Sequence, residues 1–213
     1  PKYTGILSLP EFDHFEKRKA NSYLGITAHK SSQSKPNWPN ASGKKMFIYL
    51  KSFEHLKPFL HALVDTQAAI IFYSNDIQAK HFFDFQAPHI HYETKALDLA
   101  LVAAEADIAI TNGNHSTVMH FVLHKVPVMM IPLHWEQQLM ALRMQAQGIG
   151  VIGNKNQPAQ LIQSLKAILR VNGCSNAVRN IADKYQNFDA AGKQMQFCQR
   201  LISDAKTKKA KQE

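Results

Sequence analysis

After Lys45 the apolar positions fall into short runs, separated by longer stretches in which apolar residues recur every three to four positions. The short runs are Met46–Leu50, Ala69–Ser74, His89–Tyr92, Asp107–Thr111, Val126–Pro132 and Gly150–Gly153. Such runs predict the strands of a parallel sheet, which is covered on both faces. The longer stretches predict helices over Glu54–Thr66, Ile77–Phe85, Lys95–Glu105, Ser116–His124, Glu136–Gln147 and Pro158–Val171. Parallel neighbours require a crossover, and right-handed crossovers are nearly universal. This alternation therefore predicts a doubly wound, Rossmann-like α/β sheet in a three-layer sandwich. From Ser175 to about Lys206 the pattern is helical throughout, with Val178, Ile181, Tyr185 and Phe188 on one face and Met195, Cys198, Leu201 and Ile202 on another. These C-terminal helices are expected to close the domain.

Upstream the pattern is different. Residues 1–30 show neither a strand nor a helix period, and 28–45 is polar and broken by Pro36, Pro39 and Gly43, which is linker chemistry. The expected organisation is an irregular interdomain arm and linker over 1–42, a domain over 43–205 and a basic tail over 206–213. Hydrophobic residues at 45% with charged residues at 19% exclude disorder as the main state of the 213-residue chain. Cys174 and Cys198 fit neither a disulfide framework nor zinc spacing, which makes a reducing cytoplasm the default compartment. No metal site is expected. The longest apolar stretch, Val126–Leu133, is strand-sized and holds two prolines, so no transmembrane segment is expected. A start at Pro1 without a signal segment reads as a fragment whose beginning lies upstream. The net charge of +9 invites a nucleic-acid reading, but basic residues gather at the two ends without interleaved aromatics. A solvated tail, or a docking surface for an acidic partner, explains them better.

Ligands of open parallel sheets bind beyond the carboxyl ends of the strands, so the loops there carry the chemistry. After the fourth strand comes Thr111-Asn112-Gly113-Asn114-His115-Ser116-Thr117, a polar turn leading into an apolar helix. Backbone N–H groups at such a start suit a phosphate, with Asn112, Asn114 and His115 as further donors and Ser116 or Thr117 as cap. Any strand-to-helix turn favours the same residues for capping. After the fifth strand, Ile131-Pro132-Leu133-His134-Trp135-Glu136-Gln137 sets a carboxylate beside a carboxamide at a helix start, a pair suited to vicinal hydroxyls. Together the two loops describe a nucleotide-sugar pocket.

The stretch TNGNHSTVMHFVLHKVPVMMIPLHWEQQLMALRMQAQGIGV resembles the donor-binding signature of the GT-B UDP-glycosyltransferase superfamily, of the macrolide and plant secondary-metabolite type. Gly113, Thr117, Val126-Pro127, Pro132, Glu136-Gln137, Ala141 and Gly148-Ile149-Gly150 fall in register without a gap. Pro10 to His14 and the segment around Trp38 look like the connector from a preceding domain. The resemblance implies the C-terminal, donor-binding half of a GT-B fold. It places the donor diphosphate on residues 112–117 and near Ser52, and the donor sugar on Glu136 and Gln137. It puts the base and ribose near Tyr92, Glu93 and His120. Ser52 reads equally as a helix cap, and Tyr92 equally as core. The family's diphosphate-binding histidine falls on Asn112, its ribose-binding glutamate on His120 and its glycine before Val-Pro on Lys125. His120 and Lys125 are either exposed helix positions or cations facing the phosphates.

The expected function is donor binding in a glycosyltransferase of the hexosyltransferase type, using a UDP-sugar or a dTDP-sugar. The general base would lie in an N-terminal acceptor domain, so no catalytic residue is assigned within this chain, which alone would not turn over. The alternative is a decayed, non-catalytic module for binding or assembly. A dinucleotide-dependent dehydrogenase is set aside, because Lys51-Ser52-Phe53 stands where a glycine fingerprint would be needed.

Overall fold

The computed structural model describes residues 3–13, 15, 19, 22–26, 34–77, 82 and 84–209. They form two compact units, Lys30–Gln186 and the pair of segments Pro1–His29 and Asn187–Glu213.

The first unit is a six-stranded, all-parallel sheet of order β3-β2-β1-β4-β5-β6. Its strands are β1 (Lys45–Tyr49), β2 (Ala69–Tyr73), β3 (Ile90–Glu93), β4 (Ile108–Thr111), β5 (Val128–Met130) and β6 (Gly150–Ile152). All six predicted strands are present. The fifth is shorter than its apolar run because Pro127 and Pro132 cannot donate to a ladder. The strand order reverses between β1 and β4, the switch point where doubly wound sheets open a crevice. The fold is therefore a Rossmann-like doubly wound sheet, as the alternation of runs predicts.

The helices are α1 (Leu56–Val64), α2 (Leu99–Glu105), α3 (His115–Leu123), α4 (Trp135–Ala146), α5 (Pro158–Arg170) and α6 (Asn176–Tyr185). In α1 the buried Leu56, Phe59, Leu60 and Leu63 recur at helical spacing, and Leu161, Leu165 and Ile168 do the same in α5. Both stripes join Met46, Ile48, Ile70, Ile108 and Met129 in one core on one face of the sheet. Phe47 points the opposite way and meets Phe121 of α3 with ring centroids 5.6 Å apart. Asp98 caps α2 by accepting from Ala100 N at 2.9 Å, and Ser175 caps α6 by accepting from Val178 N at 3.2 Å. The helix expected over Ile77–Phe85 falls partly on 78–81 and 83, outside the described residues. Phe82 and Phe85 are buried in the same core.

The second unit contains α7 (Ala190–Lys209) and a three-residue 3-10 turn, Pro10–Phe12. The irregular N-terminal segment is held by specific bonds. Ile6 N donates to Ser22 O and Leu24 N to Ile6 O, each at 2.8 Å, and the Tyr23 hydroxyl donates to Asp13 Oδ2 at 2.8 Å. Gln194 of α7 donates to the Leu24 and Gly25 carbonyls, and the Tyr3 hydroxyl to the Asp204 carboxylate.

The end of α3 depends on one unusual residue. Lys125 adopts φ 63°, while its N–H donates to Val122 O at 3.0 Å and that of Val126 to Phe121 O at 2.9 Å, a Schellman stop. That left-handed position favours glycine. Lys125 instead turns its side chain to Asp183 of α6, with Nζ 2.7 Å from Oδ1 and both groups about half exposed. Lys125→Gly and Lys125→Ala lose the same ion pair, so their difference isolates the backbone. The glycine variant should be more stable by about 1 kcal/mol in urea unfolding, the reverse of the order at a mid-helix site. Equal stabilities would contradict the left-handed stop.

Candidate functional site

The carboxyl ends of β1, β4 and β5 are tied together by one side chain. Asn112, directly after β4, is 3% exposed. Its Oδ1 accepts from Lys51 N at 2.8 Å, in the loop after β1, and its Nδ2 donates to Ile131 O at 2.9 Å, in the loop after β5. The amide expected to meet a diphosphate is thus committed to backbone. Gly113 follows at φ 91°, donating its N–H to Thr111 Oγ1 at 3.0 Å. A Cβ there would sit 3.3 Å from the Gln137 carbonyl oxygen, so glycine lets the turn lie against the first turn of α4.

Asn114 is the N-cap residue of α3, yet it makes no capping bond. Its Oδ1 accepts from Gln137 Nε2 at 2.8 Å, across the crevice between the two loops. The Oε1 of Gln137 accepts from Leu133 N at 2.8 Å. Gln137 is 3% exposed, so the carboxamide expected to hold sugar hydroxyls is occupied as a brace. Turning Asn114 toward Gln137 leaves the N-terminus of α3 without a side-chain cap. The positive end of a helix dipole then points out of the sheet. Ser116 is exposed and Thr117 is buried in that first turn, while His115 is partly exposed.

The start of α4 is likewise uncapped, with His134 at its N-cap. His134, Trp135 and Glu136 are all exposed there, and Trp135 retains 76% of its surface. Lys155, in the loop after β6, reaches across to donate to Leu133 O at 3.3 Å and brings a cation to this mouth. Sequence reasoning missed Lys155. The available signal was a lysine in the turn after the last strand.

Ser52 lies beside the site through its neighbour Lys51, but its N–H is bound to Asp76, at 3.2 and 3.3 Å from the two carboxylate oxygens. Asp76 also accepts from Ser74 Oγ at 2.9 Å, so an acid holds the loops after β1 and β2 together. It too was missed, although Ser74-Asn75-Asp76 after an apolar run is turn chemistry. Burial, with Tyr73 and the Asp76 charge adding, pushes the Tyr49 hydroxyl up.

Tyr92 and Glu93 end β3, three strand spacings from β4 or about 14 Å. Tyr92 stacks on Phe82 at 4.1 Å and donates its hydroxyl to Phe85 O at 2.8 Å, and burial pushes it up to about 12. Its contacts are those of the core alternative. Glu93 accepts from Thr94 N at 2.8 Å and Lys95 N at 2.9 Å. Burial would raise its carboxyl, but those N–H groups and His91 hold it below the ordinary value. His120 sits five residues into α3, about 7.5 Å along the axis from its start. Lys125 lies at the far end of that helix, paired with Asp183, and does not face the crevice.

Among the described residues no group of three His, Cys, Asp or Glu side chains could hold a metal ion, and no helix is long and apolar enough to cross a membrane. A cavity of about 620 Å³ lies between α1 and α5, lined in part by Lys44, Ala62, Ala68 and Leu165, at the opposite, amino ends of β1 and β2.

Asn112→Ala leaves the Lys51 N–H and the Ile131 carbonyl without their partner. Unfolding by urea should show a loss of about 2 kcal/mol, and Asn112→Asp, which keeps the acceptor for Lys51 N but buries a carboxylate oxygen against the Ile131 carbonyl, a loss at least as large. An unchanged midpoint for the alanine variant would contradict the bracing role.

No family model matches the sequence, and no curated protein matches it. Solved structures do. The glycosyltransferase VinC in complex with dTDP superposes with a TM-score of 0.73 at 15% identity, over 93% of this chain and 52% of its own. The spinosyn rhamnosyltransferase SpnG gives 0.71 at 16%, over 87% and 53%. The glycosyltransferase SnogD from Streptomyces nogalater gives 0.69 at 15%, over 95% and 57%. The chain spans about half the length of the proteins it matches. By architecture it has the fold of one Rossmann-like half of a GT-B glycosyltransferase.

Proposed function

We propose that the chain is the donor-binding half of a sugar transferase, and that it takes a nucleoside-diphosphate sugar at the carboxyl ends of β1, β4 and β5. The observation that carries this reading is the uncapped start of α3. Asn114 stands in the capping position but gives its acceptor to Gln137, so no side chain caps the first turn of α3. A diphosphate supplies the acceptor that the chain withholds, and the helix dipole favours its charge. Glu136, exposed on the next helix start, is the group left to accept from sugar hydroxyls. Lys155 adds a cation at the same mouth.

In the transfer, an acceptor hydroxyl attacks the anomeric carbon while the bond from that carbon to the diphosphate oxygen breaks. The hydroxyl proton passes to a base outside this chain, and negative charge builds on the leaving diphosphate. The N–H groups at α3 stabilise that charge as it develops. VinC is described in complex with dTDP, and SpnG with thymidine diphosphate, which supports a pyrimidine nucleotide as the carrier here. UDP-sugars and dTDP-sugars both remain within this reading.

One observation favours a second reading, a module of this fold that no longer binds nucleotides. Asn112 and Gln137 are both committed internally, and the Asp76 carboxylate occupies the Ser52 N–H. Isothermal titration separates the two. UDP or dTDP should bind the full chain with measurable heat, and the corresponding nucleotide sugar more tightly. Absence of heat with all of them, for a chain with cooperative unfolding, selects the non-binding module.

A further inference from the structure

α1 and α5 pack on one face of the sheet, and the cavity of about 620 Å³ opens between them at the amino ends of β1 and β2. Small residues make the room. Ala62 of α1, Ala68 before β2 and Gly43 before β1 stand where larger side chains would fill the space. Gly43 cannot be enlarged, because a Cβ there would run into the Gln67 carbonyl oxygen, to which its own N–H donates at 3.1 Å. Ile162, Leu165 and Leu169 of α5 supply the apolar surface on the other side. The apolar lining is wholly aliphatic, and the volume falls within the roughly 300–1,000 Å³ of small-molecule pockets.

The charge of this lining is unbalanced. Lys44 and Lys166 stand against one carboxylate, Asp65. Lys44 Nζ donates to Leu169 O at 2.9 Å and to Val171 O, both neutral carbonyls at the carboxyl end of α5. An ammonium has three donors, so one N–H of this half-buried cation is left over. None of the ion pairs among the described residues includes Lys44, Lys166 or Asp65. A cation beside apolar surface gains more from an anion than one in open water, because screening there is weaker. One net positive charge selects a monoanion over a dianion or an amine, and the aliphatic lining selects a hydrocarbon body.

We propose that this cavity is a second small-molecule site, which takes a free aliphatic monocarboxylate. The hydrocarbon chain lies along Ala62, Ala68, Leu165 and Leu169, and the carboxylate accepts from Lys44 and Lys166. The site stands at the opposite end of the strands from the nucleotide crevice and does not rest on the donor reading.

Titration of the full chain compares decanoate, 1-decanol and decylamine, which share one chain length and differ in head group. Decanoate should bind at least tenfold more tightly than either of the others. Ala62→Phe fills the cavity and should weaken decanoate at least tenfold, and Ala62→Leu replaces it should the larger ring prevent cooperative unfolding. Lys166→Met, at an exposed position, should weaken decanoate at least threefold and leave decanol unchanged, and Lys44→Met should do the same. No binding of decanoate at about 1 mM to a wild-type chain with cooperative unfolding overturns the site. Decanol or decylamine bound as tightly as decanoate overturns the choice of an anion, and a decanoate Kd unmoved by both lysine variants does the same. Unchanged decanoate affinity in the filled variant overturns the cavity as its place of binding.

Discussion

The hydrogen bond from Gln137 Nε2 to Asn114 Oδ1 sets the character of the crevice, because it fixes two loops and opens a helix terminus in one contact. An asparagine at an N-cap ordinarily turns its oxygen onto its own helix, a bond whose loss typically costs about 1 kcal/mol. Here that oxygen faces the neighbouring loop, and α3 starts without a side-chain acceptor. Gly113 permits the arrangement by allowing the turn to approach the Gln137 backbone. Asn112 holds the whole turn against the ends of β1 and β5. The crevice is therefore braced by side chains, and α3 begins there without a side-chain cap.

The sheet was legible because strands covered on both faces must be apolar throughout, and Phe47, Ile71 and Ile110 keep their runs unbroken on either side of the sheet. Helix ends were legible to within a few residues where a cap or proline marks them, as with Pro158 opening α5. The fifth strand was overread because Val126 looks like strand but closes the Schellman stop of α3. Nothing in the sequence marks Lys125 as left-handed, since a lysine there reads as an exposed helical residue.

The meeting of the two loops was legible in the sequence, and their contacts were less so. Residues 112–117 and 136–137 do converge, since strand order and loop position follow from the fold. The burial of Asn112 and Gln137 was not legible, because whether an amide faces solvent or a neighbouring loop depends on tertiary packing that residue type does not encode. Asp76 and Lys155 came from loops whose local sequence gave no reason to connect them with β4 or β5. Tyr92 stood on a strand end at the edge of the sheet, where core packing and ligand contact use the same aromatic residues.

A crystal structure of the chain grown with dTDP or UDP bears most directly on the central claim, that the open start of α3 is an anion site held in place by the Gln137 brace. The account predicts phosphate density within hydrogen-bond distance of the backbone N–H groups of Ser116 and Thr117, with the Asn114–Gln137 bond kept. Phosphate density elsewhere, or a first turn of α3 capped by its own side chains in the presence of saturating nucleotide, would contradict it.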